Sequence, residues 1–171
     1  QKAISHFLKA KAFARKDPEK IDILYHLGAA SADGGHLPDA IETFKELKEI
    51  DKNSYQPPIK LRSLYIVMNN WEEAYEVQKE LLFLAKKGKE PVNSKDLSPA
   101  ILYEMANTFL RQEDYRNAVA KFKEAIKLDP FFLPAYMALG EAYLKQDKTD
   151  EAQKAWEKGY ENTGSPLFLK R

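Results

Sequence analysis

The side chains able to do chemistry at neutral pH are few, and their spacing assembles nothing. His6, His26 and His36 fall on an exposed helical position, a helical stretch beside the expected core, and a turn. No second ligand stands at a spacing that would make a metal site or an acid–base pair with any of them. The turn Asp33-Gly34-Gly35-His36 lacks the alternating oxygen donors of a calcium loop, and no glycine run with a following lysine could cradle a phosphate. The absence of cysteine excludes disulfides and thiolate metal centres and points to a reducing compartment. With no nucleophile, base and orienting group to place together, the expectation is a protein that is not an enzyme and carries no cofactor or metal. What remains is recognition chemistry: tyrosines, an asparagine, an arginine and apolar side chains set at regular intervals.

That regularity comes from elements repeated along the chain. Tyr136, Leu139, Gly140 and Tyr143, followed by Ala152 and Trp156, restate at a spacing of 34 residues the set Leu102, Met105, Ala106 and Phe109, followed by Ala118 and Phe122. In each set the first four residues share one helical face, and the alanine and aromatic share a face of a second helix. The pattern resembles the tetratricopeptide repeat (TPR) signature, W-x2-L-G-x2-Y, A-x3-F and P, with Pro130 closing a copy. The resemblance implies an all-α fold, a right-handed α-solenoid of helix-turn-helix hairpins. Small residues at repeat positions 8 and 20 let the two helices approach, and the aromatic at position 24 fills the space between them. Burying Phe122 or Trp156 is worth roughly 3–5 kcal/mol against alanine.

Four full repeats are expected, at 21–54, 55–88, 99–132 and 133–166, with a partial repeat at 1–18 and a further or capping helix starting at 167–171. The partial repeat has Ala3, Phe7 and Ala10 on one apolar face, a candidate for self-association. The second repeat diverges most: Pro57 and Pro58 can only start its first helix, Arg62 takes the small position 8, and Gln78 takes the aromatic position 24. The alanines Ala74 and Ala118 lie 44 residues apart instead of 34, which places an insertion at 89–98. That insertion reads as a solvated loop or, functionally, a binding appendage.

The totals, 27 basic and 26 acidic residues, give a net charge of +1 with no concentrated basic face for nucleic acid. No apolar run reaches the roughly 18 residues of a membrane span. Lysine- and glutamate-rich stretches such as 46–52 and 121–127 read as solvated helix surfaces. Function in such a solenoid belongs to the concave face, lined by first helices. Position 5 holds Tyr25, Ile59, Tyr103 and Met137, an apolar and aromatic stripe, and the neighbouring positions add Ser63, Asn107, Arg111 and Glu141. Ile66, Leu110 and Leu144 at position 12 are expected to pack. A clamp for a C-terminal carboxylate resembles lysine and asparagine at positions 5 and 9, and only Asn107 fits. An extended or helical protein segment, anchored by apolar side chains with Asn107 and Arg111 fixing its backbone or an acidic group, suits the stripe better. The competing expectation is a structural module that assembles with copies of itself.

A closer resemblance rests on Asn70-Trp71-Glu72-Glu73-Ala74 opening a second helix, Lys87-Gly88-Lys89 ending it, the extended connection, and Ile101-Leu102-Tyr103-Glu104-Met105-Ala106. These resemble the cytoplasmic TPR region of the bacterial lipopolysaccharide assembly protein B family. The resemblance implies a regulatory adaptor in lipopolysaccharide biosynthesis control, whose partner is a membrane protease or its substrate. It implies a cytoplasmic location, tethered to the inner membrane by a segment outside this fragment, and a zinc module elsewhere in a longer parent chain.

Overall fold

The computed structural model describes residues 2–13, 17–86 and 96–170. It divides into two compact units, residues 1–94 and 95–171, and each is described by itself. The first unit holds α1 (Lys2–Phe13), α2 (Asp17–Asp33), α3 (Leu37–Ile50), α4 (Gln56–Val67) and α5 (Trp71–Lys86). The second holds α6 (Ser98–Arg111), α7 (Tyr115–Leu128), α8 (Leu133–Leu144), α9 (Thr149–Thr163) and a 3-10 turn, Pro166–Lys170. Residues 89–95 of the expected insertion lie outside the described residues, as does the segment Lys87-Gly88-Lys89.

The chain is an all-α succession of paired helix hairpins, with no strand among the described residues. α2 pairs with α3, α4 with α5, α6 with α7 and α8 with α9; α1 packs on α2, α3 on α4, α7 on α8, and the 3-10 turn on α9. Helix starts are written by proline: Pro38, Pro57 and Pro58, Pro99 and Pro134 stand in the first turns of α3, α4, α6 and α8. There a missing N–H costs nothing, because it would have no partner in the helix. Asp114 caps α7 through its carboxylate, which accepts from the Asn117 N–H at 3.2 Å.

The hairpin turns repeat one geometry. Gly35, Asn69, Glu113 and Asp147 all sit in the left-handed region, at φ of 78°, 57°, 60° and 59°, and all occupy repeat position 15. The next residue's N–H then reaches back across the turn: His36 to the Ser31 carbonyl at 2.8 Å, Asn70 to Tyr65 at 2.8 Å, Asp114 to Phe109 at 2.9 Å and Lys148 to Tyr143 at 3.1 Å. This is the Schellman closure of a helix C-terminus, and it satisfies carbonyls that the helix end leaves free.

The packing behind each turn follows from positions 8, 20 and 24. A Cβ placed on Gly140 would lie 2.1 Å from Trp156 Nε1, and one on Gly28 would lie 2.8 Å from Phe44 Cζ. The glycines are what let these aromatic rings lie against the first helix. Ala40, Ala74, Ala118 and Ala152 are fully buried at position 20, with Phe44 and Phe122 buried at position 24. In the α4–α5 hairpin positions 8 and 24 are taken by a polar pair: Arg62 Nη1 donates to Gln78 Oε1 at 2.6 Å, and both residues are buried.

Candidate partner-binding surfaces

Tyr25, Tyr103 and Met137 are braced from inside by the position-24 residues Phe44, Phe122 and Trp156, so their freedom as contact groups is set by packing. Tyr25 on α2 lies edge-on to Phe44 with ring centres 6.1 Å apart, and the Lys60 ammonium of α4 stands 5.8 Å from its ring centre. Ile59 on α4 is half-buried, and Ser63, one turn on, is exposed with its hydroxyl donating to the Ile59 carbonyl at 3.0 Å. In the second unit Tyr103 on α6 touches Phe122 and Phe132, each at 5.7 Å between centres. Met137 on α8 packs against the buried cluster of Tyr136, Ala152, Trp156 and Phe168, and its carbonyl accepts from Trp156 Nε1 at 3.2 Å. Each of these four side chains is therefore part core and part surface.

The polar members stand further out. Asn107 is half-buried and donates weakly to Glu104 at 3.4 Å, while Arg111 and Glu141 are exposed, Arg111 donating to the Thr108 hydroxyl at 3.0 Å. α6, which carries Tyr103, Asn107 and Arg111, and α8, which carries Met137 and Glu141, touch directly in the second unit. Ile66 and Leu110 are half-buried, whereas Leu144, expected to pack, is 43% exposed at the last position of α8. His26 stacks on Phe7 and pairs at 3.5 Å with Asp22, with the side chains of His26 and Asp22 exposed. No cluster of histidine, cysteine and carboxylate groups suited to a metal occurs among the described residues. None of the described helices is long and apolar enough to cross a membrane.

Sequence reasoning missed a second surface. Between α7 and α9, floored by α8, runs a cleft of about 660 Å³ lined by Ile126, Leu139, Tyr143 and Ala155 and edged by lysines. Its signal was present as lysines four apart in both helices, those of α7 inside the stretch 121–127 read as plain solvated surface.

The geometry of turns and small-to-aromatic packing on one ruler has a known counterpart. The tetratricopeptide repeat family model matches residues 103–166. The TPR-type reading extends beyond those residues through solved structures: one MamA crystal structure covers 99% of this chain and 85% of its own at TM-score 0.53 and 22% identity. A second MamA structure covers 93% of the chain and 85% of its own at TM-score 0.51 and 23% identity. At such identities these likenesses bear on the fold alone, a TPR-type helical repeat. Superkiller protein 3 of Schizosaccharomyces pombe is 24% identical over 145 residues, 83% of this chain. The chain spans 10% of the length of that curated relative.

Proposed function

We propose that the chain is a non-catalytic TPR-type scaffold that holds an extended or helical segment of a partner protein on its first-helix faces. The observation that carries this reading is that α6 and α8 adjoin, with Tyr103, Asn107 and Met137 half-buried and Arg111 and Glu141 exposed along them. An amide and a guanidinium can bind a peptide backbone or an acidic side chain, and flat apolar surface beside them supplies the desolvated anchor that interfaces need. Its finer form is an adaptor in lipopolysaccharide biosynthesis control, cytoplasmic and tethered through a segment outside these residues, with a membrane protease or its substrate as partner. The sequence pattern around Asn70–Ala74 and Ile101–Ala106 supports that form. A short apolar span upstream and paired Cys-x-x-Cys motifs downstream in the parent gene would support it; a parent lacking both would sink it.

The binding reading is tested with exposed residues, because Tyr103→Ala with Met137→Ala also removes packing. Full-length protein carrying Arg111→Glu and Glu141→Lys should retain its thermal melt and capture its principal native-lysate partner at least about tenfold less well than wild type. Undiminished capture by the folded double variant would overturn it.

A further inference from the structure

The α7–α9 cleft carries two pairs of lysines one helical turn apart, Lys123 with Lys127 on one wall and Lys154 with Lys158 on the other. Glu151 is the one acidic group in its lining. None of the four lysines makes an ion pair among the described residues; Lys123 is placed instead 5.5 Å over the ring of Tyr143. The floor is apolar: Ile126, Leu139, Tyr143 and Ala155, with Tyr136 beneath, its hydroxyl taken up by the Asn162 amide at 2.6 Å. Pro130, also in the lining, is followed in the chain by Phe131, 73% exposed, and Leu128 near it is 49% exposed.

Two cationic rails beside an apolar trough define an occupant by complementarity. Residues three or four apart on a helix lie about 5–6 Å apart, which is the spacing of each lysine pair. An amphipathic helix with an apolar ridge at i, i+3 or i+4 and i+7, and with Asp or Glu on both flanks, would bury the ridge against Leu139 and Tyr143. Its carboxylates would meet the lysines on either side. The first unit supplies the contrast. At repeat positions 19, 22 and 26, where α9 has Glu151, Lys154 and Lys158, α3 has Asp39, Glu42 and Glu46. The corresponding hollow beside α1 is lined by those three carboxylates, with Lys11. The cationic lining is thus particular to the second unit and is not a consequence of the repeat.

We propose that the cleft between α7 and α9 is a docking site for an acidic amphipathic helix of a partner protein. It uses a different face of α8 from Met137 and Glu141, so it stands or falls apart from the reading above.

The probe is a displayed library of 16-residue helical peptides, selected at low salt against the whole chain and against the Lys154→Glu, Lys158→Glu variant. Both lysines are exposed, so the variant should keep the wild-type circular dichroism and melt. Wild type should enrich peptides with acidic flanks and an apolar ridge. One such peptide, resynthesised, should bind the variant at least tenfold more weakly and lose affinity as salt rises, while Arg111→Glu leaves it unchanged. Enriched peptides without acidic flanks, or equal binding to the folded variant, would overturn the proposal. It would equally fall if the wild type is a dimer in light scattering that the lysine variant dissociates, or if it sediments with phosphatidylglycerol vesicles through these lysines while ignoring every acidic peptide.

Discussion

The α8–α9 and α4–α5 hairpins close the same gap with opposite materials. In the first, Gly140 admits the indole of Trp156, whose N–H is satisfied by the Met137 carbonyl. In the second, Arg62 reaches from the place of the glycine to Gln78 in the place of the indole, and the Arg62 Nε and Trp71 Nε1 atoms are buried without a hydrogen-bond partner among the described residues. Desolvation pushes the Arg62 guanidinium below its ordinary pKa, a sign of what burial costs it. An apolar filling is tolerant of slight shifts; a polar one holds only while both members are in place. The repeat thus fixes the volume to be filled and leaves its chemistry open.

The comparison breaks first at Gly140. A Cβ there would lie 2.1 Å from Trp156 Nε1 and 2.2 Å from its Cε2, so Gly140→Ala must push the indole off the Met137 carbonyl. We expect a loss of about 3 kcal/mol, at the upper end of overpacking effects, read as a lowered urea midpoint. Gly28→Ala meets only the far edge of the Phe44 ring, at 2.8 Å, and should cost less. Equal losses at the two glycines would mean that ring position does not set the effect.

Arg62 and Gln78 sharpen it. Arg62→Ala removes the donor to a fully buried glutamine and opens a cavity, for an expected loss of about 2 kcal/mol or more. Gln78→Phe alone sets a ring against the guanidinium and should also destabilise. The double variant restores the small-and-aromatic arrangement of the other hairpins, and replacing buried charge with apolar packing is often neutral or stabilising by about 1–4 kcal/mol. A double-mutant cycle from denaturant melts should therefore show strong favourable coupling. Additive losses would show that the two hairpins are not filling one equivalent space.

The turns are what the hairpins share, and there the residues differ in fitness. Glu113 holds φ 60° with a Cβ and no short polar side chain to ease it, whereas Gly35 holds φ 78° freely. Glu113→Gly should stabilise by about 0.5–1 kcal/mol after the added entropy of the unfolded chain, and Gly35→Ala should destabilise by about 1 kcal/mol, both by thermal melt. Asn69→Gly should gain less, since asparagine tolerates this region.

These contrasts also separate what could be read from the sequence from what could not. The hairpin pairing was legible because Gly140, Ala152 and Trp156 repeat on a fixed ruler, and a volume constraint leaves a residue-type trace. Arg62 and Gln78 were visible only as departures; that they answer each other across 16 residues needed coordinates. The left-handed turns were legible at Gly35 and hidden at Glu113, where tertiary closure overrides preference. The position-5 stripe could be written down, but not that Tyr25 and Tyr103 brace Phe44 and Phe122. The lysine cleft stayed hidden because charge on a helix looks the same whether it faces open water or rims a trough.

The smallest expected effect concerns repeat position 26, where α3 carries Glu46 and α9 carries Lys158. Glu46 draws Lys11 of α1, by a short ion pair, and Lys20 of α2 at 3.1 Å, so one carboxylate joins three helices. Partial burial works to raise its pKa, but the hydrogen bonds and charges of Lys11 and Lys20 outweigh it and hold the carboxyl below its ordinary value. A carboxylate whose folded pKa is depressed adds stability that is in place above the unfolded value and is lost as pH falls through the folded one. Glu46→Gln should therefore cost under about 1 kcal/mol at pH 7, as surface pairs do, and the gap from wild type should close as the pH is lowered through the carboxylate range. Lys158→Gln, which removes no ion pair among the described residues, should leave stability unchanged at both ends of that titration. A Glu46 effect that persists in acid would mean that its stem packs rather than its charge pairs, and the two units would then differ at this position in shape and not in electrostatics.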